Sequence, residues 1–107
     1  MDKKVVKLQK SMSERGKIGQ ARHDAKVQQR LDLYKGKGFK VKADLPGRAK
    51  PPKIGGRIPD IVAQKGKKLV VEEVETRSTK DTDKSQQEAL RRGTKERGGT
   101  FKVIVAK

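Results

Sequence analysis

Cysteine and tryptophan are both missing from these 107 residues. Without thiols, disulfides and thiolate metal cages are excluded, and such a composition suits an intracellular protein. There is one histidine, His23, so histidine-based triads and zinc cages are set aside as well. Aromatic residues number three, Tyr34, Phe39 and Phe101, and only 31% of the chain is apolar, so any core must be small. No apolar run approaches the roughly 20 residues of a membrane span, and the basic start lacks the apolar segment of a signal peptide. A soluble cytoplasmic protein with no membrane partner is expected. Lys50 to Gly56 is glycine- and proline-rich but lacks the Gly-Lys-Ser/Thr element of a nucleotide-binding P-loop.

Positive charge is what the chain has in excess: 29 Lys and Arg stand against 13 Asp and Glu, a formal net charge of +16. Such a surplus favours a polyanion offering many phosphate contacts, and nucleic acid is the first choice. The surplus is uneven. Residues 1–58 hold 17 basic and 5 acidic residues, whereas residues 59–107 hold 12 and 8. The front half reads as the electrostatic grip, and the back half carries the acids.

Residues 1–18 are lysine-rich without a sustained apolar period, and read as a flexible basic arm that orders on nucleic acid. A domain is expected over residues 19–107. Its first helix runs from Gly19 to about Lys35, with His23, Val27, Leu31 and Tyr34 on one face and Gly36 and Gly38 at its end. Phe39 to Ala43 alternates apolar and basic residues, a half-buried strand with Lys40 and Lys42 outward. Asp44 to Gly56 holds three prolines and three glycines and forms a loop, in which Arg48, Lys50 and Lys53, followed by Arg57, suit phosphate contact. Ile58 to Ala63 and Leu69 to Thr76 read as an antiparallel pair joined through Gly66. Ser85 to Glu88 has the form of a capping box, predicting a helix to about Arg97 with Gln86, Ala89, Leu90 and Gly93 inward. Thr100 to Val105 is a last strand, and the helical crossover before it makes its pairing parallel. The expected fold is therefore α/β, in the order α-β-β-β-α-β, with a mixed sheet flanked by helices.

Within the central pair, side chains alternate faces, so Glu73 and Glu75 point one way, and Asp60 lies beside them if the register allows. Carboxylates gathered so closely repel one another unless a cation sits among them, which points to a divalent metal. The competing reading is an acidic strand balanced by Lys65, Lys67 and Lys68. Glu72 would share its face with Val70 and Val74, but a slip of one residue in register would make it the ligand instead.

With Ile58-Pro59-Asp60 on one strand, Glu73-Val74-Glu75-Thr76 on the next and a helix on either side, residues 19–105 resemble the PD-(D/E)XK nuclease superfamily. Within it, the similarity is greatest to the small archaeal Holliday-junction resolvases. That resemblance implies a restriction-endonuclease-like core and a metal-dependent DNA endonuclease. Asp60 and Glu73 would be the metal-binding carboxylates, with the Val74 carbonyl completing the set around Mg²⁺ or Mn²⁺. Glu75 stands where most members carry lysine, a variant that would hold or deprotonate the attacking water. Gln86 would orient that water, and His23 takes the place of a helical glutamate that reaches the metal. Lys40, Lys42, Arg48, Lys50, Lys53 and Arg57 would hold DNA phosphates, with RNA left open as a partner, and a homodimer is expected. The alternative, from a different class, is a non-catalytic nucleic-acid-binding protein, such as a component of a ribonucleoprotein assembly.

Overall fold

The computed structural model describes residues 9–77 and 79–106, residues 9–18 by their backbone alone. Two helices and four strands follow one another as α1 (Gln9–Gly36), β1 (Lys40–Ala43), β2 (Ile61–Lys65), β3 (Lys68–Thr76), α2 (Lys84–Glu96) and β4 (Thr100–Ala106). The element order is the expected one. Helix α1 starts ten residues earlier than the apolar spacing alone required, at Gln9, and of the expected flexible arm residues 1–8 lie outside the described residues.

The strands form one mixed sheet in the order β1-β2-β3-β4, antiparallel between β1 and β2 and between β2 and β3, parallel between β3 and β4. The β2–β3 hairpin closes through Gly66 and Lys67, with Lys65 opposite Lys68 and Gly66 at φ 59°, a left-handed conformation that glycine adopts without a Cβ clash. This two-residue turn locks the register at Ile61 opposite Glu72. Every side-chain placement discussed below depends on that pairing.

Each face of the sheet has its own core. Val27, Leu31 and Tyr34 of α1 meet Ala43, Ile61, Ala63, Val74 and Ala106 on one face. On the other, Leu90 of α2 meets Val62, Val71 and Ile54. Strand β3 lies between the two helices and is buried from Val71 to Thr76, which is why a stretch carrying three glutamates still folds inward. The loop between β1 and β2 is docked rather than free. Ile54 and Arg57 exchange backbone hydrogen bonds at 2.7 and 3.1 Å, and the backbone of Gly55 lies so close to α2 that a Cβ on Gly93 would fall 2.6 Å from the Gly55 nitrogen.

The start of α2 differs from its expected form. Asp83, not Ser85, occupies the N-cap, and it makes no side-chain capping bond. The helix begins two residues earlier than that cap implied, and its buried face is Gln87, Leu90, Gly93 and Thr94, leaving Gln86 at the margin. Strand β1 begins at Lys40, one residue after Phe39, which turns to pack edge-on against Tyr34 with ring centroids 5.3 Å apart.

Candidate functional site

Asp60 immediately precedes β2, and the register carries it past Glu72 to the level of Glu73 and Val74. Its Oδ2 accepts a hydrogen bond from the Val74 amide at 2.8 Å and lies 3.2 Å from Nε2 of His23. An N–H and a C=O of one strand residue face the same neighbouring strand, so the Val74 carbonyl lies on the Asp60 edge of β3 as well. The other nitrogen of His23, Nδ1, is 3.0 Å from Oδ1 of Asp24, which also accepts from Gln20 at 2.9 Å. Helix α1 thus reaches the sheet through a buried imidazole wedged between two carboxylates. Asp24, the next residue of the helix, is the second carboxylate at that ring.

Glu73 is nearly enclosed. Its Oε2 accepts from Nε2 of Gln86 at 2.6 Å, while Oε1 is buried and has no hydrogen-bond partner among the described residues. Burial, then the negative charges of Asp60 and Glu75, push this carboxyl up to about 9, with the Gln86 bond opposing. Glu75 is fully buried but engaged: Thr79 donates to Oε1 at 2.7 Å, and Nε2 of Gln87 faces Oε2 at 3.4 Å while bonding the Lys80 carbonyl at 2.9 Å. Burial raises it to about 7, opposed by the Thr79 bond and helped by the charge of Asp83.

Glu72 lies on the opposite face and has a different chemistry. Arg30 clamps it through Nε to Oε1 at 2.8 Å and Nη2 to Oε2 at 2.6 Å, and the Tyr34 hydroxyl donates to Oε2 at 2.5 Å. Burial and the bond to Glu72 lift Tyr34 to about 12, and the same carboxylate raises Arg30 further above its ordinary range. Both oxygens of Glu72 are committed beneath α1, so the one-residue slip that would have made it a ligand does not occur.

The lysine-balanced reading of the acids also fails. Among the described residues, no lysine pairs with Asp60, Glu73 or Glu75, and Lys65 instead donates to the Lys37 carbonyl and lies over the Phe39 ring. The full three-carboxylate cluster is not formed either. Among the described residues, no group of three or more His, Asp and Glu side chains is drawn together closely enough to hold one ion. The physical reason is that Thr79 and Gln87 draw Glu75 toward α2. What remains together is Asp60 and Glu73, with Val74 between their backbones and Gln86 and His23 as their hydrogen-bonding partners.

The basic residues singled out in the sequence are all exposed. Lys40 and Lys42 line a groove of about 650 Å³ with Gln64 and Lys65, floored by Val62, which is opposite Val71 and so on the Glu73 face of the sheet. Arg48 bonds Gln28 of α1 at 3.2 Å, and Lys50 pairs with Asp44 at 2.9 Å. Gln87 and Thr79 were not anticipated. Spacing could have found Gln87, because it recurs with Leu90 and Thr94 at three and seven, whereas nothing local marks Thr79.

Among the described residues no helix is long and apolar enough to cross a membrane. No family model matches the chain, and no curated protein matches it.

Proposed function

We propose that this chain is a metal-dependent DNA endonuclease with a restriction-endonuclease-like core, in which Asp60 and Glu73 are the carboxylates that hold Mg²⁺ or Mn²⁺. The observation that carries this reading is the buried Oε1 of Glu73 beside Asp60, an oxygen with no partner among the described residues. A carboxylate oxygen shut away from water with a second acid next to it is costly, and a hard divalent cation is the partner that relieves both conditions. The element order α-β-β-β-α-β and the mixed sheet, with the acids at the end of its buried strand, support the same reading.

In this reading a bound divalent cation supplies Lewis-acid polarisation of the scissile phosphate. The chain's own residues set the geometry. Gln86 holds Oε2 of Glu73 and thereby leaves Oε1 for the ion, while the Val74 amide and His23 fix Oδ2 of Asp60. Contacts with carboxylate oxygens make His23 a positioning residue for Asp60 in preference to a ligand. Glu75, held by Thr79 and Gln87, orients the end of β3 against α2 rather than exchanging a proton with solvent. The groove lined by Lys40 and Lys42 carries the duplex backbone by charge, without reading bases. A homodimer, presenting two such sites to two strands, belongs to the proposal.

The test is a nicking assay on branched and linear DNA in Mg²⁺ and Mn²⁺, with binding measured in parallel. Asp60→Ala should lower nicking on the order of 100-fold or more while leaving binding within a few-fold. A second reading, a non-catalytic nucleic-acid-binding protein, is favoured by one observation: Glu75, at the position where most of the superfamily carries lysine, is buried and fully engaged. Wild-type protein that binds DNA but cuts it in neither metal would establish that reading over the first.

A further inference from the structure

The opposite face of the sheet holds a second basic groove, of about 480 Å³, that the endonuclease reading does not use. It lies between the end of α1 and the turn after it, which contribute Leu33 and Lys37, and the β2–β3 hairpin, which contributes Lys67 and Lys68, with Phe39 and Lys102 completing it. Lys102 pairs in register with Glu72 and so shares the α1 face, whereas Glu73 and Glu75 lie on the other. Seven residues of β3 separate Lys68 from Glu75, about 23 Å of extended chain. The two grooves therefore open on different faces of the sheet and meet at the β2–β3 turn, where Gly66 lines one and Lys67 the other, while Glu75 lies at the far end of β3.

Two properties of this groove occur together. First, it gathers Lys37, Lys67, Lys68 and Lys102, none of which makes an ion pair among the described residues. The nearest acid, Glu72, is buried and already clamped by Arg30, the fifth basic residue at the groove. Second, its wall is apolar: Leu33, 40% exposed, is one of two large hydrophobic side chains left open on the described surface, and the half-buried Phe39 lies beside it. Unpaired ammonium groups call for phosphates. The apolar wall calls for something flat and uncharged attached to them. A duplex hides its bases and would leave the wall unused, whereas a single strand offers both parts at once. The volume falls within the roughly 300–1,000 Å³ usual for organic ligand sites, room for one nucleotide with its neighbours' phosphates outside.

We propose that this groove binds a single-stranded nucleic-acid segment, with phosphates on Lys37, Lys67, Lys68 and Lys102 and a base against Leu33 and Phe39. The assignment does not depend on metal binding or cleavage at Asp60 and Glu73. It makes the protein a two-faced nucleic-acid binder, able to hold a strand on the α1 face while phosphates occupy the groove floored by Val62.

The test uses the full chain and the fluorescence anisotropy of a short labelled oligothymidylate. A Lys67→Glu/Lys68→Glu/Lys102→Glu variant is compared with Lys84→Glu/Arg92→Glu/Lys95→Glu, which makes the same charge change on the outer surface of α2. The groove variant should lose at least about tenfold more affinity than the α2 variant. Leu33→Ala, on an open surface where folding is not at risk, should weaken the single strand several-fold yet leave a duplex of equal length and inorganic triphosphate unaffected. Equal losses in the two triple variants would reduce the effect to net charge and overturn the site. Triphosphate displacing the strand at matched phosphate concentration, with Leu33→Ala silent, would make the groove an anion hole and overturn the strand.

Discussion

Replacing Glu73 by glutamine should make the metal-free protein more stable, although it removes a residue proposed to hold the ion. In the folded protein Glu73 keeps its proton up to about 9, while in the unfolded chain it loses it near the ordinary 4.5. Between those values the folded state holds one proton more than the unfolded state, so the contribution of this group to stability falls as pH rises from about 4.5 to about 9, and is level outside that window. At about 1.4 kcal/mol for each pH unit above 4.5, the deficit reaches about 3 kcal/mol at pH 7. Glutamine mimics the protonated acid in size and hydrogen bonding and cannot ionise when unfolded, so the deficit disappears. Urea unfolding in chelator should give coincident stabilities for wild type and Glu73→Gln near pH 4.5, diverging to a variant advantage of about 2 to 3 kcal/mol at pH 7. Glu75, raised to about 7, adds a slope of the same sign between about 4.5 and 7 in both proteins and cancels from the difference. Adding Mg²⁺ or Mn²⁺ should then stabilise the wild type and not the variant, because an ion that binds only the folded state shifts the equilibrium by mass action. A variant less stable than wild type at pH 7 without metal would refute the account of this carboxyl. A wild type indifferent to both metals would refute the ion.

Two further variants probe the frame around the site. Arg30→Met removes the clamp from Glu72 and leaves a buried carboxylate with only Tyr34, and should cost about 3 to 5 kcal/mol in urea unfolding; a loss below about 1 kcal/mol would mean that Glu72 is not buried as described. Gly93→Ala places a Cβ 2.6 Å from the Gly55 nitrogen and 2.8 Å from Ile54 Cγ2, so the loop before β2 must lift from α2. It should lose about 1 to 3 kcal/mol despite alanine's better helix propensity, where an undocked loop would instead show a small gain in thermal unfolding.

Local pattern carried much of the fold. Helix α1 announced itself through Val27, Leu31 and Tyr34, and the hairpin through two apolar runs around Gly66, because each signal is a periodicity or turn preference contained in a few neighbouring residues. The start of α2 was misplaced for the opposite reason. Ser85 and Glu88 satisfy a capping pattern, but the turn from Thr79 to Asp83 sets the direction of entry, with the amides of Thr82 and Asp83 donating to the Thr79 carbonyl at 3.0 and 3.1 Å, and places Asp83 at the N-cap without a side-chain cap. With the N-cap two residues earlier, Gln87 rather than Gln86 lies on the buried face.

Alternation by itself determined that Glu73 and Glu75 share one face of the sheet and Glu72 the other, since successive side chains on any strand must diverge. The excess of positive charge was likewise complete in the sequence, and composition alone supplies the electrostatic attraction to phosphates. Only the tertiary structure decided what becomes of each acid. Arg30, 42 positions from Glu72 in the chain, neutralises it; Thr79 and Gln87 draw Glu75 toward α2; and Glu73 keeps one buried oxygen with no partner among the described residues. Three glutamates within four residues acquire three different chemistries because charge compensation depends on distance through space, and that distance is set by which helix lies on which face.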